Sequence, residues 1–503
     1  LALSGAIGFY PSDSFSLVLR NDYGNVEPQR YEGTPLVNGR LDTSIRKENY
    51  NVDDAIIRFR DNQTLLTLDW SPSDAITISN TAYLLTTDRR WRNAESYCWV
   101  GPDGDCPSGY GGGTPGQVYR ADYLGIRHEQ RQIGNVGSIT IETPLGGSMH
   151  NQLVVGFDYN QIRLIYSHDF PADAPFVEDE VDLIDPTPGL YQGVPTIPRR
   201  RHSTTEYSLF AEDRLEFSER FSIVGGVRFE RDKVQRFNIA FNPDGSRTET
   251  NAFASIGETA RIFKNTTWRV GAVYQPTSAI SIYGQYSTGV DPLGTLVTLS
   301  AGEFPRSNPT GYQIEAGIKA SFLDGRGSAT LAAYKIVKKD LLAQLAPNGP
   351  VQQVGQRSSK GIEASLSVAL GSGFAIDANG TVLDARYDNF ISGDTDFSGK
   401  TPGGVPETLA NLWLTWDAFD RFQARAGLRY VGRIFFDESN QSELPSYTVV
   451  DAGLSYALSD QVAVDLRVYN LFDKAYATAY QYHDEQWFLG RPRSFDVALR
   501  ARF

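Results

Sequence analysis

Histidines, cysteines and hydroxyl nucleophiles are the groups with which a chain does metal or acid–base chemistry, and here they are sparse. The five histidines, His128, His150, His168, His202 and His483, show no helical or turn spacing that would gather ligands. They read as isolated loop or lumen residues, so no metal site is expected. The only two cysteines, Cys98 and Cys106, stand in a Gly/Pro-rich stretch. In an exported protein that spacing predicts a disulfide pinning a loop, the alternative being two unrelated thiols. There is no nucleophile elbow, no zinc-type cysteine pairing and no phosphate-cradling glycine loop. Gly111-Gly112-Gly113 lies between Tyr110 and Pro115 as flexible punctuation. No catalytic residue and no intrinsic cofactor are therefore expected. A net charge of −13 lacks the basic footprint of a nucleic-acid binder.

Groups suited to holding a bulky polar ligand are concentrated instead. Trp91, Arg92, Tyr97, Trp99, Tyr110, Tyr119 and Tyr123 surround the cysteine pair, and Tyr480, Tyr482 and Trp487 form a second aromatic group. Aromatic faces and guanidinium planes can stack on a ligand and hydrogen-bond to it. The candidate ligand contacts are Trp91, Arg92, Tyr97, Trp99, Tyr123, Tyr482 and Trp487. The alternative is that some of these rings belong to a membrane girdle, which Trp91 and Tyr123, near strand ends, fit equally. The segment Asp169–Asp185 carries seven acidic residues and no Lys or Arg. It reads as a solvated acidic loop that repels anions at long range.

The elements that must position these groups are strands. No apolar run is long enough for a spanning helix. One Met beside 26 Tyr, 27 Phe and 7 Trp is unlike a soluble core and like the aromatic girdles of a membrane barrel. Two kinds of connection alternate. Short turns recur at Pro11-Ser12-Asp13, 71–74, 144–147, 218–220, 276–278, 324–326, 371–373, 418–420 and Ser459-Asp460. Between them lie long polar segments, roughly 21–55, 88–122, 167–202, 231–262, 288–310, 340–354, 387–405, 434–446 and 470–491. Short turns at one end and long loops at the other are the signature of a bacterial outer-membrane barrel. The strands alternate with period two: Phe422, Ala424, Ala426, Leu428 and Tyr430 against Arg421, Gln423, Arg425 and Arg429, and likewise in 312–322, 461–468 and the final strand to Phe503. So many strands, with so crowded a charged face, suit a wide barrel lined by water rather than a soluble sandwich.

The predicted fold is all-β, a transmembrane antiparallel β-barrel with about nineteen strands. Leu1 is not an initiator Met, and the first strand runs toward a short turn. An even-stranded barrel that starts in the periplasm should begin by ascending. Residues 1–503 are therefore expected to be the C-terminal part of a twenty-two-stranded wall, with about three strands missing.

The C-terminal segment Val468-Tyr469-Asn470-Leu471-Phe472-Asp473-Lys474-Ala475-Tyr476 is followed by Gly490-Arg491-Pro492-Arg493 and a strand ending in Phe503. This resembles the terminal signature of TonB-dependent receptors. Trp91–Tyr97, Arg127–Gly134 and Tyr31–Leu36 are similar to the siderophore-receptor branch of that family. The resemblance implies uptake of a ferric siderophore as transported ligand, with no enzymatic step. It implies partners: the TonB–ExbB–ExbD energy-transducing complex, acting through an N-terminal plug region not seen here, outer-membrane lipid and lipopolysaccharide, and the barrel-assembly machinery that would read Phe503. On their own chemistry, Asn470 is expected to cap a turn, while Phe472 and Tyr476 are expected to anchor at the interface. The rivals are the same machine with another cargo, such as cobalamin, another metal chelate or a glycan, a diffusion porin, and a barrel enzyme.

Overall fold

In the computed structural model, the described residues are all of 1–503 except 108, 110, 171–176, 243, 292–306, 344–351, 393–394, 482–484 and 503. Twenty-one strands share one antiparallel sheet; two of them, Asp179–Val181 and Arg247–Asn251, are short additions in loops, which leaves nineteen wall strands. They are β1 Ala2–Ser12, β2 Phe15–Val26, β3 Ile56–Ser73, β4 Ile76–Trp99, β5 Val118–Gly146, β6 Met149–His168, β7 Ile197–Ser218, β8 Phe221–Phe241, β9 Arg261–Thr277 and β10 Ile280–Val290. The series continues with β11 Thr310–Phe322, β12 Gly327–Ala343, β13 Gln352–Gly371, β14 Phe374–Asn389, β15 Thr408–Phe419, β16 Phe422–Val431, β17 Tyr447–Ala457, β18 Val462–Tyr469 and β19 Ser494–Ala501. Each pairs with its sequence neighbours. Among the described residues β1 pairs with β2 alone and β19 with β18 alone. Among the described residues no helix is long and apolar enough to cross a membrane.

The alternation read from sequence becomes two chemically distinct faces. On one, Ile139 stands opposite Val155, Phe157 opposite Leu209, and Leu209 opposite Phe229; further round, Leu466 stands opposite Val497 and Val464 opposite Leu499. These side chains are exposed, Leu209 at 65% and Leu499 at 69%, as an apolar band that meets lipid must be. On the other face polar groups bond across strands. Gln132 donates to Asn160, and Asn160 to Glu206. Arg228 reaches Asp158 and Glu230, and Asn265 donates to Glu230 and Asp232. Such a belt of charged and amide side chains suits a face that looks into an aqueous space rather than lipid. This inward face carries the site described below.

All nine short turns fall where the sequence places them. In the β13–β14 turn Gly371 and Gly373 have φ of 93° and 79°, and a Cβ on Gly373 would meet the Asp417 carbonyl at 2.0 Å. Only glycine fits there. Seven of the nine long connections are shorter than expected, while 432–446 and 470–493 are slightly longer. The segment 88–122 contracts to 100–117, because β4 and β5 stay hydrogen-bonded from Ile76↔Ile141 to Trp99↔Val118. The strands outrun the membrane because backbone pairing between neighbours remains favourable in water.

Candidate ligand-binding site

The far ends of β4 and β5 are buried on both sides. Tyr97 and Tyr123 pack with Ala94 and Val118 against Tyr50, Val52 and Ala55 of the 27–55 connection and Val181 of the 169–196 connection. The Tyr50 and Tyr97 rings lie 5.9 Å apart, Tyr97 donates its hydroxyl to the Ala94 carbonyl, and Tyr50 donates to Leu183. Arg120, 1% exposed, ties this core together. It forms a bidentate pair with Asp179, and its Nη1 donates to the carbonyls of Tyr50 at 2.9 Å and Pro188 at 2.8 Å. Cys98 and Cys106 are disulfide-bonded, Cα to Cα 5.9 Å, within a second core of Val100, Tyr119 and Ala121.

A clasp joins the first long connection to the last. Thr34–Pro35, Ala477–Tyr480 and Gln486–Leu489 form a three-stranded sheet. Gln486 sits at its centre, 2% exposed. Its Nε2 donates to the carbonyls of Glu32 and Glu95, and its Oε1 accepts from the Tyr97 N–H. Arg46 bonds Asp473, and the Leu36 N–H donates to the Glu485 carbonyl at 2.7 Å. Burial, with Glu95 as a second cause, pushes the Glu32 carboxyl up from 4.5 to about 8. A carboxyl that is harder to ionise when folded stabilises the fold most below the unfolded value and loses that contribution as pH rises through the folded one. The clasp should therefore weaken between pH 4.5 and about 8. Hydrogen exchange at Leu36, corrected for intrinsic rate, should be slower at the acid end, and Glu32→Gln should flatten the dependence. Equal protection across the window in the parent protein would contradict the assignment.

Below the clasp, the inward face of β4, β5 and β6 carries a run of rings. Trp91 meets His128 edge-on at 4.9 Å, and His128 lies 5.3 Å from Tyr166. Tyr166 lies 5.3 Å from His168, which stacks on Phe170 at 4.2 Å. The Arg200 guanidinium stands 5.9 Å over the Tyr166 ring. His128 shares its face with Gln130 and Gln132, so the run points into the lumen; its Nε2 has no hydrogen-bond partner among the described residues. Tyr166, 4% exposed, has no more free face than Tyr97 and packs within the run, the His128 Nε2 is itself buried, and the His168 Nδ1 accepts from the Phe170 N–H. The half-buried Trp91, His168 and Phe170 rings and the Arg200 guanidinium are what this wall offers to stack on a planar, oxygen-rich anion.

The structure thus distributes the candidate residues unevenly. Trp91 is in the lumenal run. Arg92 points outward, bonded to Asp54 at 2.8 Å and 5.1 Å over the Tyr191 ring. Tyr97 and Tyr123, 3% and 2% exposed, are packing residues with no free face for a ligand. They serve the site by fixing the loops, because their rings fill the space between two connections. Trp99 is half-buried at the end of β4, and Trp487 is half-buried in the clasp opposite Thr34. Tyr482, Tyr110, His483, Asp173 and Phe503 lie outside the described residues. Sequence spacing missed His128, Tyr166, His168 and Arg200, which meet only across strand register.

Three further expectations are corrected. The acidic 169–185 segment is not simply solvated: Asp179 is held by Arg120, and Asp169 accepts from the Gly125 N–H and the Tyr191 hydroxyl. Tyr476 is not an interfacial anchor but is buried against Tyr447, centroids 4.4 Å apart, whereas Phe472 is 74% exposed. Asn470 does more than cap a turn. It holds both arms of the last connection by donating to Lys474 and Arg491 and accepting from the Lys474 N–H.

Comparison with known proteins decides the family. The TonB-dependent receptor-like β-barrel family matches residues 6–471. The chain belongs to that family. This TonB-dependent receptor barrel is an outer-membrane protein, with its long connections outside the cell. It is 28% identical over 370 residues to the metal-pseudopaline receptor CntO of Pseudomonas aeruginosa, covering 71% of this chain and 49% of that one. It is 25% identical over 384 residues to the ferrioxamine B receptor of Salmonella typhimurium, covering 73% and 51%. The chain thus spans about half the length of the curated relatives it matches. Its fold superposes on the siderophore receptor PiuA from Acinetobacter baumannii with a TM-score of 0.82 at 20% identity, over 99% of this chain and 74% of that one.

Proposed function

We propose that this receptor barrel imports a ferric siderophore across the outer membrane, with energy supplied through TonB–ExbB–ExbD. The observation that carries the reading is the Trp91–His128–Tyr166–His168–Phe170 run with Arg200, placed inside the mouth of a barrel of this family. Planar hydroxamate, catecholate or carboxylate groups around iron present oxygen edges and flat faces that such a wall can bind. The clasp and the Arg120 lock support it by holding the outer loops over that wall. Gating and the energised step belong to parts of the receptor other than this wall. A second reading, uptake of another metal chelate, draws support from the likeness to a metal-pseudopaline receptor.

Growth of an iron-starved, receptor-deficient strain carrying the whole receptor gene tests both. Rescue by a ferric hydroxamate, catecholate or carboxylate is expected. Rescue by none of them, with the receptor displayed at the surface, would overturn the iron reading. Rescue by nickel, zinc or cobalt chelates in the matching metal starvation would favour the second.

A further inference from the structure

The two cysteines meet a third ligand-bearing group that no spacing along the chain announces. Gln486 of the clasp accepts from the Tyr97 N–H and donates to the Glu95 carbonyl, which sets its sequence neighbour Glu485 beside Cys98. The Leu36 N–H, from the facing connection, holds the Glu485 carbonyl at 2.7 Å. As a result the Cys98 and Cys106 sulfurs and a Glu485 carboxylate oxygen all lie within 4.8 Å of one another. All three residues are buried, at 3%, 2% and 6% exposure. Among the described residues no other group of three His, Cys, Asp or Glu side chains converges so closely.

The disulfide is not what brings the two sulfurs together. Cys98 is placed by strand pairing, opposite Tyr119 of β5. Cys106 is placed by backbone bonds of its own turn: its N–H donates to the Gly111 carbonyl at 2.8 Å, and the Gly101 N–H donates to the Asp105 carbonyl at 2.9 Å. The Cα atoms, 5.9 Å apart, would therefore stay close with the bridge open. Donors on one tetrahedral zinc, at about 2.0–2.3 Å from the metal, stand about 3.3–3.8 Å from each other. Rotation about each Cα–Cβ bond parts the sulfurs by that much. The surroundings then favour a cation. With Val100, Tyr119 and Ala121 packed around the pair, ionised thiols would stand unsolvated beside a carboxylate, and the charges would repel. A dication removes that conflict by turning the repelling anions into its ligands.

We propose that the reduced receptor holds a zinc ion between the Cys98 and Cys106 thiolates and the Glu485 carboxylate, with water in the fourth position. Two thiolates select a thiophilic metal over calcium or magnesium, and a carboxylate in a four-coordinate set suits zinc. The bridge is first opened by a dithiol or a phosphine, which supplies the two electrons. The dithiol becomes a disulfide; the phosphine takes oxygen from water and becomes its oxide. Two thiols remain, and zinc displaces both protons as the sulfur–zinc bonds form. The loop is thus fastened under the clasp by a covalent bridge when oxidised and by a metal when reduced. The inference does not depend on which cargo the barrel carries.

The test uses the whole receptor purified from outer membranes, reduced with a phosphine and stripped of metal, with zinc as the probe. Competition against a chromophoric chelator should show a single zinc per reduced chain, with release of about two protons. The oxidised receptor and the Cys98→Ser/Cys106→Ser double variant, which offer no thiolate pair, should lack that site. Glu485→Gln should bind about 100-fold more weakly, the upper end of what loss of a supporting group costs a zinc site. X-ray absorption at the zinc edge should find two sulfurs and two oxygens, and a large excess of calcium should not displace the metal. Heat-resistant barrel migration on a gel reports folding. If Glu485→Gln does not assemble, the zinc-edge spectrum of the parent protein decides by itself. No zinc on the folded, reduced receptor, equal zinc on the oxidised one, parent-like affinity in a folded Glu485→Gln, a shell of four sulfurs, or displacement by calcium would each overturn the proposal.

Discussion

Replacing Asp179 by alanine should uncouple the outer loops while leaving the barrel wall intact. The change strands the Arg120 guanidinium, 1% exposed, in a core built from Tyr50, Tyr97 and Val118. Two carbonyl contacts from Arg120 remain, but the charge has lost its counterion. Breaking one side of a buried pair costs about 3–5 kcal/mol, and Asp179, about a quarter exposed, places this one near the lower end. The cost falls on the docking of 27–55 and 169–196 onto the β4–β5 ends, including the short strand Asp179–Val181 that pairs with β5 at Arg120, since the nineteen wall strands pair with one another without Asp179. Limited proteolysis should cut those connections faster by a factor of about 100, which is what about 3 kcal/mol of opening free energy allows. Barrel migration on a gel should not change. The double replacement Arg120→Met/Asp179→Leu should restore much of the resistance, because a well-packed apolar pair can stand in for a buried ion pair. Parent-like proteolysis of the single variant would remove Arg120 from its role as a lock.

Trp91→Ala should weaken binding of the rescuing chelate by about 10- to 100-fold, the range for an aromatic anchor in a desolvated wall. Trp91 is the end of the run, in edge contact with His128, and its loss also frees the imidazole to turn. Trp91→Phe should keep part of the affinity, and Arg200→Gln should act on the same ligand by removing the charge above Tyr166. Trp268→Ala is the control. That ring is 46% exposed on the lipid-facing side and should not affect the chelate. Fluorescence quenching or isothermal titration on the purified receptor gives the affinity. Parent-like affinity in Trp91→Ala and Arg200→Gln would move the ligand site elsewhere in the mouth.

These expectations rest unequally on sequence. The nine short turns carry their own chemistry, so their positions were readable residue by residue. The two faces of each strand were equally readable, since side chains alternate across a strand whatever it pairs with. Asn470 was legible as a turn-capping residue, but its bond to Arg491 was not, because twenty-one positions separate the two. Tyr97 and Tyr123 look the same in sequence as rings meant for a ligand. Only the arrival of Tyr50 and Val181 from distant connections makes them core. The same blindness hid the histidines. His128 and His168 are forty residues apart and become neighbours of one tyrosine through the pairing of β5 with β6.

Sequence by itself determined the class of this protein: a membrane-spanning antiparallel wall, short turns inside, long connections outside, with the closing motif of a receptor family. Those features are local, repeating every two residues along a strand or every turn along the chain. Tertiary structure decided which side chains meet. It converted a predicted binding loop into a packed platform, tied the first connection to the last through Gln486, and gathered rings from three strands on the lumenal side. The physical reason is register: a shift of one residue between neighbouring strands reverses the face each side chain takes, and no single strand contains that information.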